Sequence, residues 1–145
     1  MKISEKGIEF IIKEEGEVLT TYTCPAGVWT IGVGHTGSDV KPNMVITKEK
    51  SRELLKSDLS HFEKAVETSV KVPLKQHEYD SLVSFTFNVG AGAFKKSTLL
   101  KKINSLAPIT EIEVEFRKWV YAGGKILPGL KARREREVKL YKGEL

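Results

Sequence analysis

The sequence predicts an α+β fold, mainly helical, in which a small β-hairpin lobe and a larger helical lobe are joined by a long helix. Three observations carry this. Apolar residues recur at helical spacing along most of the chain. One stretch, Val18 to Gly34, is instead rich in β-branched and aromatic residues and is broken by Pro25-Ala26-Gly27. After it, helical period is kept from Thr47 until Val72-Pro73, long enough to link two lobes.

Taken in order, Ile8, Ile11 and Ile12 make a short amphipathic helix that Ser4 can cap and Gly16 can end. Glu15 lies seven, four and three positions beyond those isoleucines, so it continues their stripe and is expected to be buried. Val18 to Cys24 and Val28 to Gly34 form the hairpin. Alternation there sends Val28, Thr30 and Gly32 to one face and Trp29, Ile31, Val33 and His35 to the other. In the long helix capped by Thr47, Leu54, Leu55, Leu59, Phe62 and Val66 line one side. Further helices are expected over Gln76 to Val89, Ser97 to about Asn104, Thr110 to Tyr121 and Pro128 to Tyr141. Thr110 and Glu113 have the spacing of a capping box, Ile112, Phe116, Trp119 and Val120 form a core stripe, and Pro128 suits a first helical turn. The whole is one domain over 1–145, with the small lobe at about 15–46, the linking helix at about 48–71, and the helical lobe at about 73–145 plus the N-terminal helix.

With 40% hydrophobic and 30% charged residues the composition is that of a globular protein, which disfavours disordered and membrane-embedded classes. A formal net charge of +5 suits anionic polymers. Much of the excess falls in the run from Lys131 to Lys139, where interleaved acids read as a solvated helix face and not as a nucleic-acid stripe. The single cysteine excludes an intramolecular disulfide. The N-terminus has neither a signal-peptide h-region nor a bilayer-spanning length, so if the substrate lies outside the membrane something else must release the protein.

The reactive side chains concentrate between Glu14 and Thr36. Glycoside hydrolysis needs an acid to protonate the leaving oxygen and, across the sugar, a nucleophile or a base for water. Glu15 fits the acid if it is buried, because desolvation favours a protonated carboxyl; an exposed helix-end glutamate is the alternative. The Thr30 hydroxyl can donate to and accept from a positioned water, although strand threonines are mostly structural. Cys24, beside the turn proline, could be a partner for that water, but an ordinary thiol is mostly protonated at neutral pH and needs help. A cysteine hydrolase pairing Cys24 with His35, His61 or His77 lacks a recognisable motif. Three scattered histidines and one cysteine form no ligand-spaced cluster, so no metal or cofactor is expected, and the glycines of GVGHTG do not make a phosphate-binding fingerprint.

Glu15-Gly16, the spacing to Cys24 and Thr30, and the following TIGVGHT closely resemble the phage lysozymes, the endolysins of glycoside hydrolase family 24. The resemblance continues through SLVSFTFNVGAGAFKKSTLL and WVYAGGKILPGLKARREREVKLY and so covers essentially the whole chain. It implies the phage-lysozyme fold, with a glycan strand between the two lobes, and a muramidase that cleaves the β-1,4 bond between N-acetylmuramic acid and N-acetylglucosamine in peptidoglycan, lysing the host cell. Glu15 would be the general acid and Thr30 the water-positioning threonine, while Thr36, Phe87, Asn88 and Ser97 fall at glycan-facing positions. His35 and Arg133 would be structural neighbours of the site, with Arg133 pairing with Glu14. Cys24 stands where many members carry aspartate. A water-activating thiol implies inversion, and direct attack by sulfur implies retention through a thioglycoside.

The partners implied are peptidoglycan glycan strands and a holin-type pore for release, for a monomer that binds no nucleic acid and does not insert stably in the membrane. A cell-wall-binding module that keeps the fold without turnover is the alternative, motivated by the cysteine at position 24.

Overall fold

The computed structural model describes residues 1–145. In chain order its elements are α1 (Glu5–Glu15), β1 (Val18–Thr23), β2 (Trp29–Gly32), α2 (Lys48–Ser69), α3 (Gln76–Val89), α4 (Ala91–Lys96), α5 (Thr98–Asn104), α6 (Ile109–Arg117), β3 (Tyr121–Ala122), β4 (Lys125–Ile126) and α7 (Pro128–Tyr141). The fold is mainly helical with two small antiparallel hairpins, an α+β arrangement as the sequence predicts. Two compact units emerge: Ile8–Ser60, and Met1–Gly7 with His61–Leu145.

In the unit Ile8–Ser60, β1 and β2 pair with Val18 opposite Gly32, Tyr22 opposite Thr30 and Thr23 opposite Trp29, with an irregularity between Val18 and Tyr22. The expected strand to Gly34 is cut short. Gly32 and Gly34 both take positive φ, and the chain turns back so that Ile31 and His35 exchange backbone hydrogen bonds of 3.0 and 2.9 Å. His35 therefore faces Ile31 across a turn instead of following it on one strand face. Gly32 lies against α2, where a Cβ would come within 3.1 Å of the Ser51 hydroxyl. Thr47 caps α2 by accepting the Lys50 N–H at 3.1 Å. Ile8, Ile11, Ile31, Val33, Leu55 and Leu59 are all buried.

In the other unit, Ser4 caps α1 through the Gly7 N–H and is itself held by the buried Asp80 of α3, which accepts the Ser4 N–H at 3.0 Å and the Ser4 hydroxyl. The core centres on Phe85, with Phe94, Phe116 and Trp119 edge-on at centroid distances of 6.3, 5.4 and 5.6 Å. Gly90, at φ 102, ends α3, and α4 follows at once. The sequence reading had no α4, because six residues offer less than two turns of periodicity.

α6 begins at Pro108–Ile109 and ends at Arg117. The expected Thr110–Glu113 capping box does not form, since Pro108 occupies the cap position and Glu113 instead holds the Lys142 ammonium at 2.7 Å. Trp119 and Val120 lie beyond the helix, leading into the β3–β4 hairpin whose Gly123-Gly124 turn needs positive φ at both positions. In α7, Lys131, Arg136 and Lys139 are exposed but Arg133, Arg134 and Glu137 are buried, so the charged run from Lys131 is only in part the solvated face the composition suggested. Spacings of three and four residues put the buried charges on one face, where they pair with one another.

Candidate active site

Register places the first part of the site. Cys24 donates its backbone N–H to Val28 at 3.0 Å, continuing the ladder that pairs Tyr22 with Thr30, and Gly27 closes the turn onto the Cys24 carbonyl at 2.8 Å with φ 79. Cys24, Val28, Tyr22 and Thr30 therefore share one face of the hairpin, and Cys24 and Thr30 are diagonal neighbours.

Cys24 is half-buried and reduced. Hydrogen bonding from the backbone of Val28, then of Ala26, holds its thiol below the ordinary value; desolvation opposes this, and the Thr30 hydroxyl assists it. Thr30 is 3% exposed and donates to the Val28 carbonyl at 2.9 Å. One hydroxyl proton cannot serve the carbonyl and the sulfur together, so Thr30 can turn from one to the other while its lone pairs remain available to a water.

Glu15 is the last residue of α1, followed by Gly16 at φ 82, whose N–H closes the helix on Ile12 at 2.8 Å. It is exposed, and this corrects the expectation of burial. Ile8 and Ile11 are fully buried and Ile12 is half-buried, so burial along the stripe falls off toward the end of the helix. Only Gly16 and Glu17 separate Glu15 from β1. Glu14 is half-buried beside it.

His35 is held on both ring nitrogens: Nδ1 lies 2.8 Å from an Asp58 carboxylate oxygen and Nε2 lies 2.9 Å from Asp39. Burial alone would lower its pKa, but the bonds to Asp58 and then Asp39 outweigh this and raise it; the same contact pulls the Asp39 carboxyl down. His35 thus ties the chain after the hairpin to α2. Neither aspartate was singled out from sequence: Asp58 lies 23 residues away with no local signal, and Asp39, four residues on, falls in a loop where spacing fixes no contact. Thr36, next to it, is exposed.

In the helical unit, Phe87 and Asn88 end α3. Phe87 is half-buried and packs edge-on to Phe62 at 5.2 Å. Asn88 is exposed, and its Oδ1 accepts from Arg134, whose guanidinium also lies 5.0 Å over the Phe85 ring. That leaves the Asn88 Nδ2 as a donor at the mouth of a concavity of about 470 Å³ lined also by Trp119, Tyr121, Leu127 and Leu130. Arg134 and Glu137 were missed from sequence. Glu137, fully buried, meets Arg134 Nε at 3.0 Å and Arg133 Nε at 3.1 Å and accepts the Ser84 hydroxyl at 2.7 Å. Arg133 also reaches the Ser84 carbonyl at 3.3 Å.

Ser97, expected at a glycan-facing position, is the N-cap of α5. It is 5% exposed; its hydroxyl donates to Phe94 at 2.7 Å and accepts the Leu100 N–H at 3.1 Å. Its proton and one lone pair are thus engaged by the α4–α5 junction, and one lone pair remains. No group of three or more His, Cys, Asp or Glu side chains could hold a metal.

The family described as phage lysozyme matches residues 12–137. The endolysin of Salmonella phage P22 is 45% identical over 97% of this chain and 98% of that protein. Among solved structures, a crystal structure of a P22 lysozyme mutant superposes with a TM-score of 0.92 at 43% identity, covering 98% of this chain and 99% of the other. The muramidase domain of SpmX from Asticaccaulis excentricus gives a TM-score of 0.87 at 36% identity over 97% of each chain. With its helical fold and hairpin site, the chain thus belongs to the phage lysozyme family and is a lysozyme-type glycoside hydrolase.

Proposed function

We propose that the substrate bond is the β-1,4 linkage between N-acetylmuramic acid and N-acetylglucosamine in bacterial peptidoglycan, hydrolysed by the route of glycoside hydrolase family 24 with an unusual cysteine in place of aspartate. Glu15 donates a proton to the glycosidic oxygen as its bond to C1 breaks, releasing the N-acetylglucosamine hydroxyl. Thr30 accepts from the attacking water, Cys24 takes the proton from it, and the water oxygen bonds to C1 on the opposite face. Solvent then returns a proton from Cys24 to Glu15. One displacement inverts C1.

The observation that carries this reading is the shared hairpin face of Cys24 and Thr30, with a thiol whose pKa is lowered by Val28, Ala26 and Thr30. A thiol so placed ionises more readily than an ordinary one and can serve as a base. Glu15 is exposed in the free protein. On this reading the bound glycan, not the protein, excludes water from it. Thr36, Phe87 and the Asn88 amide would contact the strand, Asn88 by donating Nδ2 to an acetamido carbonyl.

No helix is long and apolar enough to cross a membrane. On this reading the monomer waits in the host cytoplasm until a holin-type pore opens, and then lyses the cell from within.

The test is product analysis on isolated peptidoglycan. Reducing muramic acid ends should appear with inverted configuration, and Cys24→Asp should preserve that outcome while Cys24→Ser loses most activity. Retained configuration with a sugar adduct on Cys24 by mass spectrometry would replace the water route by direct attack. Sedimentation with the wall and no new reducing ends would leave only a binding module.

A further inference from the structure

In the helical unit, the turn between α5 and α6 breaks a local rule. Leu106 adopts φ 57, the left-handed conformation that helix C-termini usually give to glycine or asparagine, and it closes α5 as such a residue does: its N–H donates to Ile103 at 3.0 Å and the Ala107 N–H to Lys102 at 3.0 Å. Yet Leu106 is 75% exposed, so little packing offsets the strain. Beside it Ile109 is also exposed, and Leu106, Ala107 and Ile109 line a shallow apolar groove of about 210 Å³ with Val72, Pro73 and Leu74. The hydrogen bond from the Lys71 N–H to Asn104 Oδ1, 2.7 Å, holds the two segments together.

Four lysines border this surface: Lys71 and Lys75 flank Val72–Leu74, and Lys101 and Lys102 lie in the last turn of α5. The carboxylates nearby are Glu78, which accepts the Lys75 N–H and lines the groove, Glu111, which holds Lys102, Glu115, whose charge also acts on Lys102, and Glu67, which lines a neighbouring cavity with Val72 and Leu74. The helical unit as a whole carries 18 Lys and Arg against 11 Asp and Glu, whereas Ile8–Ser60 carries 6 against 8, so the basic excess belongs entirely to the unit that presents the tip.

We propose that the Leu106–Ile109 tip is a reversible docking surface for an anionic phospholipid bilayer. Leu106 and Ile109 enter the boundary between headgroups and acyl chains, and the bordering lysines meet headgroup phosphates. An apolar tip inside a basic rim matches the two layers of such a surface, whereas a soluble polyanion would use the lysines alone. The proposal is independent of the catalytic assignment.

Cosedimentation of the full chain with phosphatidylglycerol vesicles and with phosphatidylcholine vesicles tests it. Binding is expected to the first, weakening as salt is raised. Leu106→Asn, which suits the left-handed position, should reduce it about tenfold through loss of one inserted side chain, with an unchanged or higher thermal midpoint and full hydrolysis of isolated peptidoglycan. Lys101→Glu should also reduce it. The proposal is overturned by absent binding, by equal binding to both vesicles, or by a Leu106→Asn protein that binds as the parent does while Lys101→Glu does not, which would mark a polyanion site. A concentration-dependent dimer that Leu106→Asn dissociates would assign the tip to a second copy and overturn it too.

Discussion

The Thr30 hydroxyl and the Cys24 thiol are diagonal neighbours on one face of the β1–β2 hairpin, and the hydroxyl helps hold the thiol below its ordinary pKa. Thr30→Val should therefore raise the thiol pKa, while losing about 1 kcal/mol of stability with the bond to Val28. Alkylation rate against pH reports this: the parent should have a midpoint below the ordinary thiol value of about 8.5, and Thr30→Val a higher one. An unmoved midpoint would assign the shift to the backbone alone.

His35 makes stability depend on pH. Its folded pKa is raised, so its contribution is fully present below the ordinary histidine value of about 6.5 and is lost as pH rises through the folded value. Asp39, whose folded pKa is depressed, contributes above the ordinary carboxylate value of about 3.9 and loses that contribution as pH falls. Both contribute between those limits. In that window Asp58→Asn should cost about 1.5–3 kcal/mol, the range for hydrogen bonds to charged groups. Asp39→Asn, at a 61% exposed side chain, should cost less than Asp58→Asn. Denaturant midpoints across pH should show the Asp58→Asn deficit shrinking in alkali, and a constant deficit would contradict the ionised pairing.

Glu137 sits between two buried guanidiniums. Glu137→Gln should destabilise by about 3–5 kcal/mol, because it strands buried positive charge. Urea titration with a tryptophan fluorescence readout measures it. A loss under about 1 kcal/mol would mean that water reaches these groups.

Ser97→Ala should lower stability by about 1 kcal/mol, the cost of losing an N-cap. The KM for peptidoglycan should not change, since the hydroxyl is turned into the α4–α5 junction. A raised KM with unchanged stability would restore Ser97 to the glycan face.

What could be read from the sequence was what repeats locally. The bounds of α3 and α7 and the caps at Ser4 and Thr47 follow from periodicity and from side chains that bond three residues ahead. The features that escaped are set by distant neighbours or by too few residues. α4 and the β3–β4 hairpin are too short for a period, although Gly123-Gly124 between Tyr121-Ala122 and Lys125-Ile126 was a usable turn signal. In α7 the buried face includes Arg133, Arg134 and Glu137 beside Val138, Leu140 and Tyr141, and hydropathy reads charges as surface even where they pair with one another. Glu15 shows the opposite failure, in which a stripe extrapolated to the final helical residue outlasts the packing that buried its earlier members. Within the site, alternation put Val28 and Thr30 on one hairpin face, while the diagonal placing of Cys24 beside Thr30 needed the strand register. The two aspartates on His35 and the hold of Arg134 on Asn88 needed the tertiary fold.

The assignment of Glu15 as the general acid is tested most directly by the rate at which purified Glu15→Gln protein releases reducing ends from isolated peptidoglycan, measured against the parent at matched thermal midpoint. The account predicts a fall of about 10²–10⁴-fold, the usual contribution of a positioned acid, without loss of fold. A Glu15→Gln protein that keeps the parent rate would contradict it.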